Sequence, residues 1–80
     1  MTKLKLNEAL ALMLKKYRTD LGYSQEEFAY RCGLDRTYIS LMERGKRNPT
    51  IKTIFIMSKN LNVKPSQFIK DIEELVSDLY

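Results

Sequence analysis

The stretch from Ser24 to Gly45, SQEEFAYRCGLDRTYISLMERG, constrains the chain most. It holds two helix-start signals, one glycine between them and a glycine at its end. Ser24 and Glu27 form an S-x-x-E capping box, in which the hydroxyl takes one backbone amide and the carboxylate another. Phe28 and Ala29 face inward, and Gly33 ends this helix after about two turns. Asp35 is the N-cap of the next helix, Ile39 and Met42 are its apolar face, and Gly45 stops it. Two short helices crossing at a steep angle need a small residue, Ala29, at their closest approach. The turn needs a residue tolerant of positive φ, which is Gly33. Ile39 plugs the seam.

The flanking segments read as three further helices. Leu10, Leu14, Tyr17 and Leu21 recur at helical spacing and predict a first helix from Asn7 to Leu21. Lys15, Lys16 and Arg18 fall toward its end, where the helix dipole favours cations, and Gly22 ends it in the left-handed conformation. After the polar loop Lys46-Arg47-Asn48-Pro49, Thr50 caps a fourth helix that ends near Leu61. Its inner stripe is Ile51, Ile54, Phe55, Ser58 and Leu61, and Asn62 takes the left-handed conformation after it. Pro65 sits in the first turn of a fifth helix, where a missing amide hydrogen costs nothing. That helix is expected to reach Leu79, with Phe68, Ile72, Leu75 and Leu79 on one stripe and Ile69 and Val76 on a second. No strand pattern, repeat or low-complexity segment is present. The expected fold is all-α: a five-helix bundle, one domain over residues 1–80, with helices 2 and 3 as a helix-turn-helix.

Composition narrows the function. Eighty residues make one small domain, and a chain of this size buries only about 60% of its unfolded surface. A partner subunit is therefore expected. There is one cysteine and no histidine, which leaves out an intramolecular disulfide and histidine-based catalysis or metal ligation. Neither a phosphate loop nor a nucleophile–base pair is present, so an enzyme is not expected, and no cofactor, metal or small-molecule ligand is evident. Cys32 is expected to be a small buried hydrophobe. No apolar run approaches the roughly 20 residues that span a bilayer, and Met1–Leu6 lacks the apolar region and cleavage site of a secretory signal. A cytoplasmic protein without a membrane partner is the expectation. The net charge is +4 and the pI about 9.3. The positive excess lies before Ile51, and the last helix ends acidic with Asp71, Glu73, Glu74 and Asp78. Phosphates would be bound at the first end and repelled at the last.

Arg18, Gly22-Tyr23-Ser24-Gln25-Glu26, Ala29, Gly33, Ile39-Ser40, Glu43 and Gly45, with Pro49 after, resemble the Cro/cI-type (Xre) helix-turn-helix repressors. The likeness runs from Leu10 to Leu61. Within that group, Leu34-Asp35-Arg36-Thr37-Tyr38-Ile39-Ser40 and the run from Glu43 to Lys52 are similar to the controller proteins of restriction–modification systems. The resemblance implies a small dimeric regulator that times expression of a restriction endonuclease, activating or repressing according to operator occupancy. It also implies a bridge between Arg18 and Glu43, of modest value because exposed pairs contribute about 0–1 kcal/mol. Arg18 is thus structural first and a phosphate ligand second.

In helix-turn-helix proteins the first two turns of the second helix of the motif face base edges in the major groove. Arg36, Thr37, Tyr38 and Ser40 occupy them. Arg36 can bridge guanine N7 and O6, and Thr37 can offer a hydroxyl or a methyl group. Tyr38 can reach a base edge or a phosphate; Ser40 can bond a base, the backbone or Gln25. The plain alternative is a solvated face. Gln25, beside a helix N-terminus, is a phosphate candidate, as are Arg44, Lys46, Arg47, Asn48, Thr50 and Lys52, which form a cationic loop leading into another N-terminus. Ile69, Val76 and Tyr80 are expected to face out and form a two-fold dimer interface. Two dyad-related helices would read a palindromic operator in successive major grooves about 34 Å apart. RNA polymerase is a further expected partner. The alternatives are a phage-type or chromosomal repressor, a toxin–antitoxin antitoxin, and an adaptor that kept the fold without DNA binding.

Overall fold

The computed structural model describes residues 4–76. Five helices follow one another: α1 Leu6–Asp20, α2 Gln25–Cys32, α3 Arg36–Glu43, α4 Ile51–Asn60 and α5 Pro65–Leu75. Three starts carry the expected side-chain cap, but only half of the expected Ser24–Glu27 box forms, because the Glu27 carboxylate pairs with Arg31 Nε at 3.2 Å. The Ser24 hydroxyl accepts from the Glu27 amide at 3.0 Å, Asp35 Oδ1 from the Thr37 amide at 2.9 Å, and Thr50 Oγ1 from the Thr53 amide at 3.2 Å. At α1 the cap is reversed: the Glu8 carboxylate accepts from the Lys5 amide at 3.0 Å. Gly33 closes α2 at φ +68°, and the following amide, Leu34, returns to the Ala29 carbonyl at 2.9 Å. Asn62 takes φ 57° after α4.

α1 lies across the molecule and packs on α3 at one side and α5 at the other; α2 packs on α3 and α4, and α4 on α5. Leu14, Phe28, Ile39, Met42, Met57 and Phe68 are fully buried where these helices meet. Burying each of these side chains contributes on the order of 1.5–3 kcal/mol. Ser58 is also fully buried, and its hydroxyl donates to the Ile54 carbonyl at 2.7 Å, so no polar atom is stranded there. α1 and α5 are clasped at their surface by the Tyr17 hydroxyl, which donates to Asp71, while Gln67 donates to the other carboxylate oxygen at 2.8 Å. The Tyr17 ring meets Phe68 edge-on, with centroids 5.7 Å apart.

Three expectations are corrected. The inner face of α4 is Thr53, Ile54, Met57 and Ser58, followed by Leu61, whereas Ile51 and Phe55 face out at 70% and 58% exposure. α4 is apolar nearly all round, so periodicity alone did not choose its face. Leu21 is the exposed cap residue after α1 and does not extend its buried stripe. Finally, α5 ends at Leu75 and Val76 is extended, with φ −86° and ψ 138°. Val76 forms an isolated parallel bridge with Leu4, and the Leu4 amide donates to the Leu75 carbonyl at 2.8 Å. That pairing turns Val76 into the chain's own core, where it is 7% exposed. It does not face outward as a free interface residue. Leu79 and Tyr80, the remaining residues expected in and after α5, lie outside the described residues.

Candidate nucleic-acid interface

The helix-turn-helix is locked from beneath by Arg18. Its Nε donates to Glu43 Oε2 at 2.6 Å, Nη2 to Glu43 Oε1 at 2.8 Å, and Nη1 to the Tyr23 carbonyl at 2.6 Å. Gln25 Nε2 donates to the same Oε1 at 3.0 Å. One carboxylate on α3 therefore gathers the end of α1 and the start of α2. The side chains of Arg18 and Glu43 are only 9% and 3% exposed, which corrects the expectation of a weak exposed bridge. The hydrogen-bonded carboxylate holds the Arg18 guanidinium above its ordinary range, against the desolvation that pulls it down. With its donors engaged and its head buried, Arg18 is not available to a phosphate. Gln25 does not bond Ser40; its amide nitrogen serves Glu43, and its carbonyl oxygen and second N–H stay available at the half-buried start of α2.

α3 is anchored by Ile39 and Met42, both fully buried, and presents Arg36 and Thr37 to solvent. Tyr38 and Ser40 flank them, half-buried. The chain then turns back on itself. The Lys46 amide returns to the Leu41 carbonyl at 2.8 Å, and Arg44 Nε reaches the Ser40 carbonyl at 3.4 Å. Gly45, at φ +69°, offers its carbonyl to Asn7 Nδ2 at 2.8 Å; a Cβ there would sit 3.4 Å from that nitrogen. Arg44, Lys46, Arg47, Asn48, Thr50 and Lys52 are all exposed along this return. Arg47 lies over the Tyr38 ring, its guanidinium carbon 5.0 Å from the centroid.

The structure thus brings all four readout candidates onto one helix and the cationic run alongside it. Ala29, Gly33 and Ile39 stand in the turn and seam as expected. Sequence reasoning missed Asn7, the Tyr23 carbonyl and the Tyr38–Arg47 contact. The Asn7 bond joins segments 38 residues apart, whereas the Tyr23 carbonyl and the Tyr38–Arg47 contact depend on how the turns after α1 and α3 fold back. Cys32 is buried, and burial pushes its thiol up to about 11, as suits a small hydrophobe.

On another part of the surface, Ile51 and Phe55 stand one turn apart on the outer side of α4. Ile69, 41% exposed, and Leu6, 50% exposed, rim an apolar hollow of about 350 Å³ that Leu10, Pro49, Ile54 and Ile72 also line. No helix is long and apolar enough to cross a membrane, and no acidic or thiol cluster suited to a metal ion occurs, among the described residues.

Known proteins share this fold. Residues 14–68 match the Helix-turn-helix family model. A hypothetical transcription factor of Neisseria meningitidis serogroup B is 39% identical over 86% of this chain, which spans 65% of that protein's length. Control protein C.MunI of Mycoplasma sp is 44% identical over 76% of this chain and 80% of its own. Among solved structures, controller protein C.Esp1396I bound to a 19 base pair DNA duplex superimposes with TM-score 0.79 at 37% identity, covering 91% of this chain and 97% of that one. The same controller has been solved as a tetramer on its natural 35 base-pair operator, with TM-score 0.77 at 39% identity over 86% of this chain and 91% of that one. This chain belongs to the helix-turn-helix family and is a relative of the restriction–modification control proteins.

Proposed function

We propose that this chain binds double-stranded DNA in a sequence-specific way as a homodimer and regulates transcription as a restriction–modification controller protein. The observation that carries this reading is the outward start of α3: Arg36 and Thr37 are exposed and held rigid by the buried Arg18–Glu43–Gln25 lock. A helix so presented suits the major groove, where an arginine reads guanine and a threonine meets thymine. Gln25 at the α2 N-terminus and the run from Arg44 to Lys52 suit the phosphates on either side. The DNA-bound relative supports the same reading. The chain acts by binding and not by catalysis, in the cytoplasm, where a dimer bound near a promoter would block or recruit RNA polymerase.

Dimerisation is part of this function, since one helix reads too few base pairs for useful specificity. Ile51, Phe55 and Ile69 are the exposed apolar side chains suited to a self-complementary contact. The test is selection from random duplex DNA followed by affinity measurement across salt. A palindromic sequence should be enriched, and its affinity should fall steeply between about 50 and 200 mM salt. Enrichment of no duplex would overturn the reading.

A further inference from the structure

A side-chain hydrogen bond ties the cationic loop after α3 to the other end of the chain. α3 closes with two backbone returns, the Gly45 amide to the Met42 carbonyl at 3.1 Å and the Lys46 amide to the Leu41 carbonyl at 2.8 Å. Both are local. Between them stands Gly45 at φ +69°, the residue type whose backbone is freest to turn elsewhere. Asn7 restrains it from 38 residues away, its Nδ2 donating to the Gly45 carbonyl at 2.8 Å. Among the described residues, no other hydrogen bond joins the segment from Arg44 to Pro49 to a distant part of the chain. Asn7 is itself held firmly. It is the second residue of α1, whose start is capped by Glu8 on the Lys5 amide and tied to α5 by the Leu4 amide on the Leu75 carbonyl.

We infer that Asn7 is a positioning residue for DNA binding: its amide fixes Gly45, and with it the direction in which Lys46, Arg47 and Asn48 leave α3 toward the duplex. Asn7 acts through this loop and touches no DNA. The inference rests on the DNA-binding reading above and deepens it. A loop held in its bound shape before the duplex arrives does not have to be ordered on binding, and that ordering would otherwise weaken the complex.

The test compares the full wild-type chain with Asn7→Ala and with Asn7→Leu, which keeps the bulk without the donor. Alanine suits a helix better than asparagine, so helical circular dichroism should be retained; if leucine crowds the site, Asn7→Ala carries the test. In the free variants, nitrogen-15 relaxation should show the amides of Gly45, Lys46 and Arg47 becoming more mobile while those of α3 stay as they are. Affinity for the selected duplex should fall about five- to tenfold. In a Lys46→Ala, Arg47→Ala background, measured at low salt so that binding persists, removing Asn7 should cost almost nothing more. The inference alone is overturned if the loop amides stay as rigid as in the wild type, or if both variants keep wild-type affinity. It is also overturned if the Asn7 loss is undiminished in the Lys46→Ala, Arg47→Ala background, which would make Asn7 an independent contact with DNA. A wild-type chain that selects no duplex overturns it together with the DNA-binding reading.

Discussion

Arg36 and Glu43 stand at opposite ends of α3 and answer to different physics. Arg36 is exposed, so replacing it should leave folding within about 0.5 kcal/mol of wild type, as for most surface positions. On the selected duplex Arg36→Ala should cost about 1–3 kcal/mol and relax the preference at one base position. A uniform loss across sequences, measured by fluorescence anisotropy, would make Arg36 a phosphate contact instead. Glu43 is buried, and removing it leaves the Arg18 charge without its partner and Gln25 without its acceptor. Breaking a buried pair from one side costs about 3–5 kcal/mol, mostly because the remaining charge stays desolvated. Glu43→Ala should therefore shift the urea midpoint by that much in free energy. A loss below about 1 kcal/mol would mean that the lock matters little and that water reaches Arg18. Since about 5–15 kcal/mol is the whole stability of most domains, the expected loss would leave this small chain near unfolding.

At the scale of elements, the helix starts were legible because capping is local. Ser24, Asp35 and Thr50 each bond an amide two or three residues on, and a short window of sequence contains both partners. The turn at Gly33 was legible for the same reason. Its φ of +68° is open to glycine, and a Cβ added there would meet no atom within 4 Å. Gly33→Ala should therefore cost about 1–2 kcal/mol from backbone strain alone, read as a lowered Tm without loss of DNA preference; an unchanged Tm would contradict a strained turn. The faces of α4 and the end of α5 were not legible. Ile51 and Ile54 are equally apolar, and only packing on α2 and α5 separates them. Val76 continues the helical period of α5, but its pairing with Leu4, at the other end of the chain, overrides that period. The Tyr17–Asp71 clasp between α1 and α5 is likewise long-range, and it has a pH signature. The phenol donor holds the Asp71 carboxyl below its usual range, and that carboxylate pushes the Tyr17 phenol up to about 12. The depressed carboxyl contributes stability above the ordinary aspartate pKa, lost as pH falls through and below it. The raised phenol contributes stability below about pH 10, lost as pH rises toward 12. Tyr17→Phe should remove the alkaline dependence and weaken the acid one, since Gln67, Lys70 and Lys16 still favour the Asp71 carboxylate. Denaturation curves that keep the same pH profile in this variant would show that the clasp carries no stability.

For the whole molecule, the proposed dimer raises the question of which surface would join two copies. The helix-turn-helix is kept rigid by contacts within one chain, so the partner need not complete it. Among the described residues, the apolar side chains that one chain leaves uncovered include Ile51 and Phe55 on α4, Ile69 on α5, and Leu6 and Leu12 on α1. Val76 is excluded from that role because it is already buried. A charge placed at Val76 would unfold the chain, and its effect on association would say nothing about an interface. The informative change is Phe55→Lys together with Ile69→Lys, at positions 58% and 41% exposed. The helical circular dichroism and Tm of the isolated chain should change little, since neither side chain is in the core. Sedimentation should show dimers for the wild type and monomers for this variant. Affinity for a single half-site should persist, because the α3 face is untouched, whereas affinity for the palindrome should fall to that half-site value. Losing the second recognition helix removes the intramolecular gain in effective concentration, which for joined sites reaches roughly 10²–10⁴-fold. A dimer that survives both substitutions would move the interface to another face, and Leu12, 50% exposed on the outer side of α1, would be the next position to charge.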